Sequence, residues 1–423
     1  MVGKPEHYRF EAVRAEKVLE HTMEHYLVYI ALALLLFCLF SARIGALGVT
    51  MPMACLGLGV IVGIGGPVLT PEATTTFHHL AEVTLALLLF ADATTLHRKQ
   101  LTCIGQRTRR MLLVGLPLCI LFGTLINFVL LPGWPIWETC LLAALLSPTD
   151  AALGQSIRSN ERIPQVFRDA MNAESGLNDG LALPFVIFFA GLAVGDADPT
   201  LGDGGLLKLV AVQIGVGAAV GLLGGYASGK LRNFVIEREL MDKELGQVAM
   251  LVLVGFIFFA AEHFGGNAFV AVFVSGIAYT NAAKASALPA QHFLEGDGQF
   301  LAMLSFFFIG ALFVPEALTF LTPTGFAIVV SSLVLVRPVA IWLSLIGTPT
   351  QANERLFYGW FGPRGLATAL FAVFVAMDFK GVEHINEIVV IAITAVVVSA
   401  FAHGISARYA SQIFRFGRSE AEE

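Results

Sequence analysis

The stretch MNAESGLNDGLALPFVIFFAGLAV, residues 171–194, carries Glu174, Asn178 and Asp179 directly into a run, 181–194, with no charged or hydrogen-bonding side chain. If a lipid bilayer surrounds that run, the three polar residues are functional candidates by default, because charge at bilayer depth is costly. The question is whether the rest of the chain is built for a bilayer.

Composition answers it. Of 423 residues, 56% are hydrophobic and only 14% are charged, against roughly 25% charged in an average globular domain. Repeated apolar stretches approach the ~20 residues a helix needs to span a membrane. The chain is an all-α polytopic membrane protein by this reading. A net charge of −6 argues against nucleic acid as a partner. Cys38, Cys55, Cys103, Cys119 and Cys140 form no CxxC pair and read as small packing residues. The first two dozen residues are polar, which does not fit a cleavable signal peptide.

Hydropathy suggests about 13 spans, near 25–42, 46–64, 79–95, 110–131, 137–156, 172–195, 206–228, 245–262, 267–283, 299–314, 325–346, 356–377 and 386–407. Basic residues gather in alternate loops: Arg98, Lys99, Arg107, Arg109 and Arg110; Arg158, Arg162 and Arg168; Lys230, Arg232, Arg238 and Lys243; and Arg408, Arg415 and Arg418 in the tail. The positive-inside rule makes that side cytoplasmic. The C-terminus is then inside and the N-terminus outside, with Lys4, Arg9, Arg14 and Lys17 fitting that side poorly. The expected organisation is an extracytoplasmic segment 1–24, a transmembrane domain 25–408 and a short cytoplasmic tail 409–423. Within the domain, repeat one (25–195) and repeat two (245–408) flank a linker helix, 206–228.

An odd linker inverts the second six helices relative to the first, as in many secondary transporters, where broken spans at matching positions point to the substrate site. The fifth span of the first half contains LLSPTDAAL (145–153) and that of the second contains WFGPRGLATAL (360–370). Both carry a proline in mid-span, Pro148 and Pro363, each followed closely by a charged residue.

The intramembrane polar residues are few. Asn172, Ser175 and Asp179 recur at helical spacing on one face, with Glu174 and Asn178 on a neighbouring stripe. Pro184 cannot donate to the Gly180 carbonyl, leaving a free backbone oxygen one turn from Asp179. Carboxylate, hydroxyl and carbonyl oxygens of this kind hold hard cations. The plainer reading makes 171–180 a polar helix start in the interface, but the span then becomes short. Asp150, after SPT, also reads as an interfacial N-cap, although at least ten apolar residues precede it. Arg337 lies inside IVVSSLVLVRPVAIWLSLIG; it needs an acidic partner unless it snorkels. Arg364 sits between glycines in GPRG, suggesting close backbone contact at a break. Its task is pairing a carboxylate or filling the negative ends of broken helices. Asp92, nearer a span end, also admits an interfacial role.

These residues resemble the monovalent cation:proton antiporters, in the branch of NhaP-type prokaryotic exchangers and animal sodium/proton exchangers. The carrying motifs are LLFADA (88–93), SPTDAA (147–152), NAESGLNDG (172–180), VRP (336–338) and GPRG (362–365), spread over the whole membrane domain. The pair Asn178-Asp179 is the most specific of them. The resemblance implies the NhaA-like antiporter fold, with two inverted six-helix repeats and broken crossing helices. It implies that Asp179 binds cation and proton in turn, and that Asp150, Ser175 and Thr149 complete the monovalent-cation site. It implies that Asn178 holds the crossing helices, that Glu174 and Arg337 form an ion pair, that Arg364 stabilises the second broken helix and that Asp92 lines the approach. It further implies a homodimer in a prokaryotic plasma (inner) membrane and no cofactor beyond the transported ions. The chain ends soon after the last span, so tail-based regulation of the animal kind is not expected.

The chemistry is competition at one carboxylate: low dielectric favours its protonated form and a nearby cation its charged form. With Asn178 neutral, each crossing moves one positive charge, so the expected exchange is electroneutral and one-for-one, with sodium as the first candidate cation. A potassium/proton antiporter of the same fold is an alternative. A channel or uniporter with Arg337 and Arg364 lining an anion path is another, disfavoured because carboxylates outnumber arginines. No HExxH or GxSxG lies in a span, so an enzyme is not expected. His78 and His79 are placed to sense external pH, but surface histidines ordinarily do nothing, and sodium, lithium and potassium are not distinguished by these ligands.

Overall fold

The computed structural model describes Val28 and residues 31–414 apart from 46, 66–70, 95–104, 151–152, 155–156, 158–159, 161, 198–201, 243–244 and 284–289. The expected segment 1–24, Arg98, Lys99, Cys103, Arg158, Lys243, the His78 side chain and the tail beyond Phe414 lie outside the described residues.

The described regular elements are helices. In chain order they are α1 (Ala31–Gly45), α2 (Met51–Gly65), α3 (Pro71–Thr94), α4 (Gln106–Leu130), α5 (Ile136–Leu145), α6 (Gln165–Ala197) and α7 (Gly202–Glu237). There follow α8 (Leu245–His263), α9 (Ala268–Ala282), α10 (Ala290–Phe308, continued by Ile309–Phe313 and Val314–Phe320) and α11 (Pro323–Ser344). Then come α12 (Ala352–Trp360), α13 (Leu366–Asp378) and α14 (Ile385–Arg408), followed by a four-residue helix, Ala410–Ile413. Among the described residues, six helices are long and apolar enough to cross a membrane: α4, α6, α7, α10, α11 and α14. Most of the other apolar stretches form helices of 10–17 residues. The protein is an integral membrane protein with many apolar helices, and large hydrophobic side chains such as Leu222, Leu223 and Tyr226 of α7 face outward.

Local chemistry explains the boundaries. Asn267 caps α9 by accepting the Val270 N–H at 3.0 Å, and Thr322 caps α11 by accepting the Gly325 N–H at 3.0 Å, each satisfying an orphan donor of a first turn. Three π turns, Met111–Gly115, Ile309–Phe313 and Ser332–Val336, each precede a proline by two residues, at Pro117, Pro315 and Pro338. Proline lacks an N–H and crowds the carbonyl four residues back; the wider turn accommodates it without breaking the helix. Arg337 sits between such a turn and its proline.

Two expected spans are interrupted. Helix α5 stops at Leu145, ahead of Pro148, and α12 stops at Trp360, with an extended segment before α13 begins at Leu366. The breaks meet: Asp150 N donates to the Pro363 carbonyl at 2.8 Å. One boundary expectation needs correcting. The MNAESGLNDG stretch does not begin a helix, because α6 starts at Gln165. At ~1.5 Å per residue, Asp179 lies about 21 Å from one end and 27 Å from the other, near the middle. Residues 165–171 read as a loop by hydropathy, yet Phe167 and Met171 are buried against α11 and α12 residues such as Ile341 and Phe357. Tertiary packing keeps them helical.

Helix α2 packs against α10, α9 against α3, α4 against α5, α11 against α12, α5 against α6 and α13 against α14. Helix α7 lies along α9, with Gly217, Gly221 and Gly225 facing the Asn267, Ala271 and Ser275 carbonyls, the small-residue spacing of close membrane-helix contacts.

Candidate functional site

The site forms where α6 passes the two breaks. Glu174, Ser175 and Asn178 are buried on α6, which excludes an interfacial helix start for them. Arg337 reaches Glu174 as a fork, Nη1 to Oε1 at 3.1 Å and Nη2 to Oε2 at 3.1 Å. Its Nη2 also donates to the Tyr358 carbonyl at 3.4 Å. Both side chains are 3% exposed, so the charges compensate each other where water does not.

Asn178 ties α6 to the first break. Its Nδ2 donates to the Ser147 carbonyl at 3.3 Å, Thr149 Oγ1 at 3.1 Å and Glu174 Oε1 at 3.4 Å. Thr149 Oγ1 in turn donates to Glu174 Oε2 at 3.3 Å. Asp150 is buried and accepts two backbone amides, Leu153 N on Oδ1 at 2.9 Å and Leu366 N on Oδ2 at 2.5 Å. It caps its own segment and, across the crossing, the first turn of α13. Asp150 thus lies inside the protein and not at an interface.

Arg364 is fully buried. Its Nη1 donates to the Ser147 carbonyl at 2.8 Å and the Pro148 carbonyl at 3.0 Å, the carbonyls left free where α5 ends. Of the two tasks open to it, filling the negative end of a broken helix is the one observed. The glycines around it are required by contact. A Cβ on Gly362 would lie 1.6 Å from Arg337 Nε, and one on Gly365 would lie 2.0 Å from Asp150 Oδ2.

Asp179 is half-buried. The Thr149 backbone hydrogen-bonds it, and Asp92, Asp150 and Glu174 lie close enough to act on its charge. Its Oδ1 is buried with no hydrogen-bond partner, as is Asn178 Oδ1. A buried unpaired carboxylate oxygen costs free energy unless something else satisfies it. Asp92, on α3, lies across from Gly176, its Oδ1 3.6 Å from where a Cβ there would stand. Among the described residues no group of three His, Cys, Asp or Glu could hold a resident metal ion. His79 is exposed and bonds Glu82 at 3.1 Å.

Sequence reasoning missed three polar features. Glu138, at the start of α5, accepts Glu383 N at 2.7 Å and pairs His384 Nδ1 at 2.7 Å, with the His384 ring stacked on Trp134 at 4.2 Å. Nothing in the sequence marked it apart from an ordinary first-turn acid. Ser399 and His403 of α14 are the other two; their four-residue spacing in an apolar span was a visible signal.

Residues 30–410 match the sodium/hydrogen exchanger transmembrane family. The chain belongs to that family. It is a family of transporters, not enzymes. Similar exchanger-family relatives include a K(+)/H(+) antiporter NhaP2 of Shewanella baltica, 25% identical over 391 residues, covering 89% of this chain and 64% of that protein. Another is a K(+)/H(+) antiporter NhaP of Alkalimonas amylolytica, 26% identical over 379 residues, covering 88% and 64%. The chain thus spans 64% of the length of these relatives. The sodium proton antiporter MjNhaP1 from Methanocaldococcus jannaschii has the same fold, with a TM-score of 0.73 at 21% identity over 90% of this chain and 99% of that one.

Proposed function

We propose that this exchanger-family protein swaps one monovalent cation for one proton at Asp179 by alternating access. The observation that carries the reading is the unpartnered Asp179 Oδ1 beside acids whose charges are answered. Glu174 is paired with Arg337, and Asp150 has two amides. Asp179 adds the same charge to this cluster whether it holds a proton or a cation. That supports electroneutral exchange, since both loaded forms have the same charge.

In this proposal Ser175 and Thr149 supply further oxygens. Asp150 joins them through lone pairs its amide bonds leave open, since each carboxylate oxygen accepts more than one bond. Asp92 lines the approach. The arrangement extends to two inverted repeats around α7, a homodimer, and an inner-membrane orientation with the basic loops cytoplasmic.

Sodium is the cation proposed. Potassium is a second reading, favoured by the names of the NhaP2 and NhaP relatives. The test is proton flux in proteoliposomes, with sodium, lithium and potassium tried in turn, for wild type and Asp179→Asn. Wild type should dissipate a proton gradient with at least one cation, and the variant with none. If no cation works in wild type, the reading fails; a transport current reversing with membrane potential overturns the one-for-one stoichiometry.

A further inference from the structure

Helix α14 presents Ser399 and His403 one turn apart on one buried face; the first is fully buried and the second 2% exposed. Ser399 Oγ accepts the backbone N–H of Arg364 at 2.6 Å. The same oxygen lies 3.0 Å from His403 Nδ1, which is also 3.0 Å from the Ser399 carbonyl. On its other side the ring hydrogen-bonds the backbone of Trp360. The Trp360 indole stands against the imidazole at 5.2 Å and donates its Nε1–H to Ser406 Oγ at 3.0 Å.

With the far ring nitrogen protonated, the Ser399 hydroxyl accepts from Arg364 and gives its own proton to Nδ1, and the ring N–H serves the Trp360 backbone; with Nδ1 protonated, Nδ1–H donates to the Ser399 carbonyl instead. Trp360 is the last residue of α12 and Arg364 lies two residues before α13. A single Ser–His pair on α14 therefore holds both ends of the break. Without it, the Arg364 amide would be a buried donor with no helix to satisfy it.

We propose that Ser399 and His403 are positioning residues for exchange. They fix the Phe361–Gly365 break so that the Arg364 guanidinium meets the Ser147 and Pro148 carbonyls and the Leu366 amide meets Asp150. Neither touches the exchanging carboxylate in this role; both act through Arg364 and Asp150. The inference rests on the reading of Asp179 as the exchange site. A positioning role needs hydrogen bonds, not proton turnover by His403, whose ring is faced by the charged groups Arg364 and Arg337.

The experiment measures cation KM, kcat and pH profile of exchange in proteoliposomes for S399A, H403F and H403Q, with thermal unfolding recorded for each. Phenylalanine keeps the ring contact with Trp360 and loses the hydrogen bonds; glutamine offers both a donor and an acceptor. S399A and H403F should raise KM about tenfold, with a smaller change in kcat. H403Q should stay within about threefold of wild type with an unmoved pH profile. Wild-type KM in both S399A and H403F overturns the proposal, and so does a shifted pH profile in H403Q, which would make His403 a proton carrier. If S399A or H403F cannot be purified folded, S399C carries the KM comparison, since its thiol nearly matches the hydroxyl in size but accepts poorly. Flux surviving in Asp179→Asn would sink the exchange-site reading instead, whatever the α14 variants show.

Discussion

Asp150 and Arg364 serve each other's helices. The carboxylate of Asp150, from the first break, accepts the amide of Leu366 at the start of α13, and the guanidinium of Arg364, from the second, donates to the Ser147 and Pro148 carbonyls beyond the end of α5. A helix start exposes unpaired N–H groups and positive partial charge, and a helix end exposes carbonyls and negative partial charge. Each break therefore supplies the charge that the other lacks, inside a core where water cannot.

That reciprocity makes Gly365 of GPRG hard to replace. A methyl group at its Cβ position would lie 2.0 Å from Asp150 Oδ2 and 2.3 Å from its Cγ, and the carboxylate is held by an amide at each oxygen. Gly365→Ala should destabilise the protein by about 1–3 kcal/mol through overpacking. Exchange should fall with it, as measured by thermal unfolding in detergent and by proton flux. Wild-type unfolding and flux would contradict the contact.

Arg364→Lys should behave as a loss, not as a conservative change. A lysine presents a compact point charge with no planar fork, and the two carbonyls it must reach belong to successive residues. Arg364→Ala leaves the Pro148 carbonyl buried without that partner, at about 1–3 kcal/mol, while the Ser147 carbonyl keeps Asn178 Nδ2. The measurement is the unfolding midpoint, with the alanine variant expected below the lysine variant and both below wild type.

Glu174 and Arg337 should show strong coupling in a double-mutant cycle. Removing either partner alone leaves a buried charge and should cost about 3–5 kcal/mol. The double variant Glu174→Gln with Arg337→Met should recover much of that loss. Additive effects in unfolding measurements would mean that the pair is not compensated as its geometry indicates.

Asp179 should separate stability from function. Its Oδ1 has no hydrogen-bond partner, and in Asp179→Asn the amide oxygen can keep the Thr149 backbone bond, so the change removes a charge and not a support. The unfolding temperature should equal or exceed that of wild type while exchange is lost, as at other sites where function is kept at a cost in stability. Glu174→Gln should do the opposite to stability, and a fall of similar size in both variants would refute the distinction.

Much of the site was legible in the chain because charge inside apolar sequence is conspicuous. Arg337, Glu174 and Asp179 stood out against their neighbours, and Pro148 and Pro363 marked both breaks, since a ring without an N–H interrupts a helix wherever it falls. Asp150 was harder. The same SPTD pattern serves an interfacial cap and a buried one, and only the arrival of Leu366 at its second oxygen distinguishes them. Ser399 and His403 were passed over because two polar residues in a span carry meaning only once their partners are known.

By itself the sequence determined the class: apolar stretches of membrane length, basic residues in alternate loops, acids and arginines too deep to be accidental, and prolines where two helices stop. Those properties are local, and hydropathy and backbone chemistry register them residue by residue. Tertiary structure decided which charge answers which. Glu174 meets Arg337 across 163 positions, and Asp150 meets Leu366 across 216. Compensation in a low-dielectric interior depends on distances near 3 Å, which no spacing along a chain specifies. Among the described residues, the packing of α6 against both breaks leaves Asp179 with a buried carboxylate oxygen that no hydrogen bond meets.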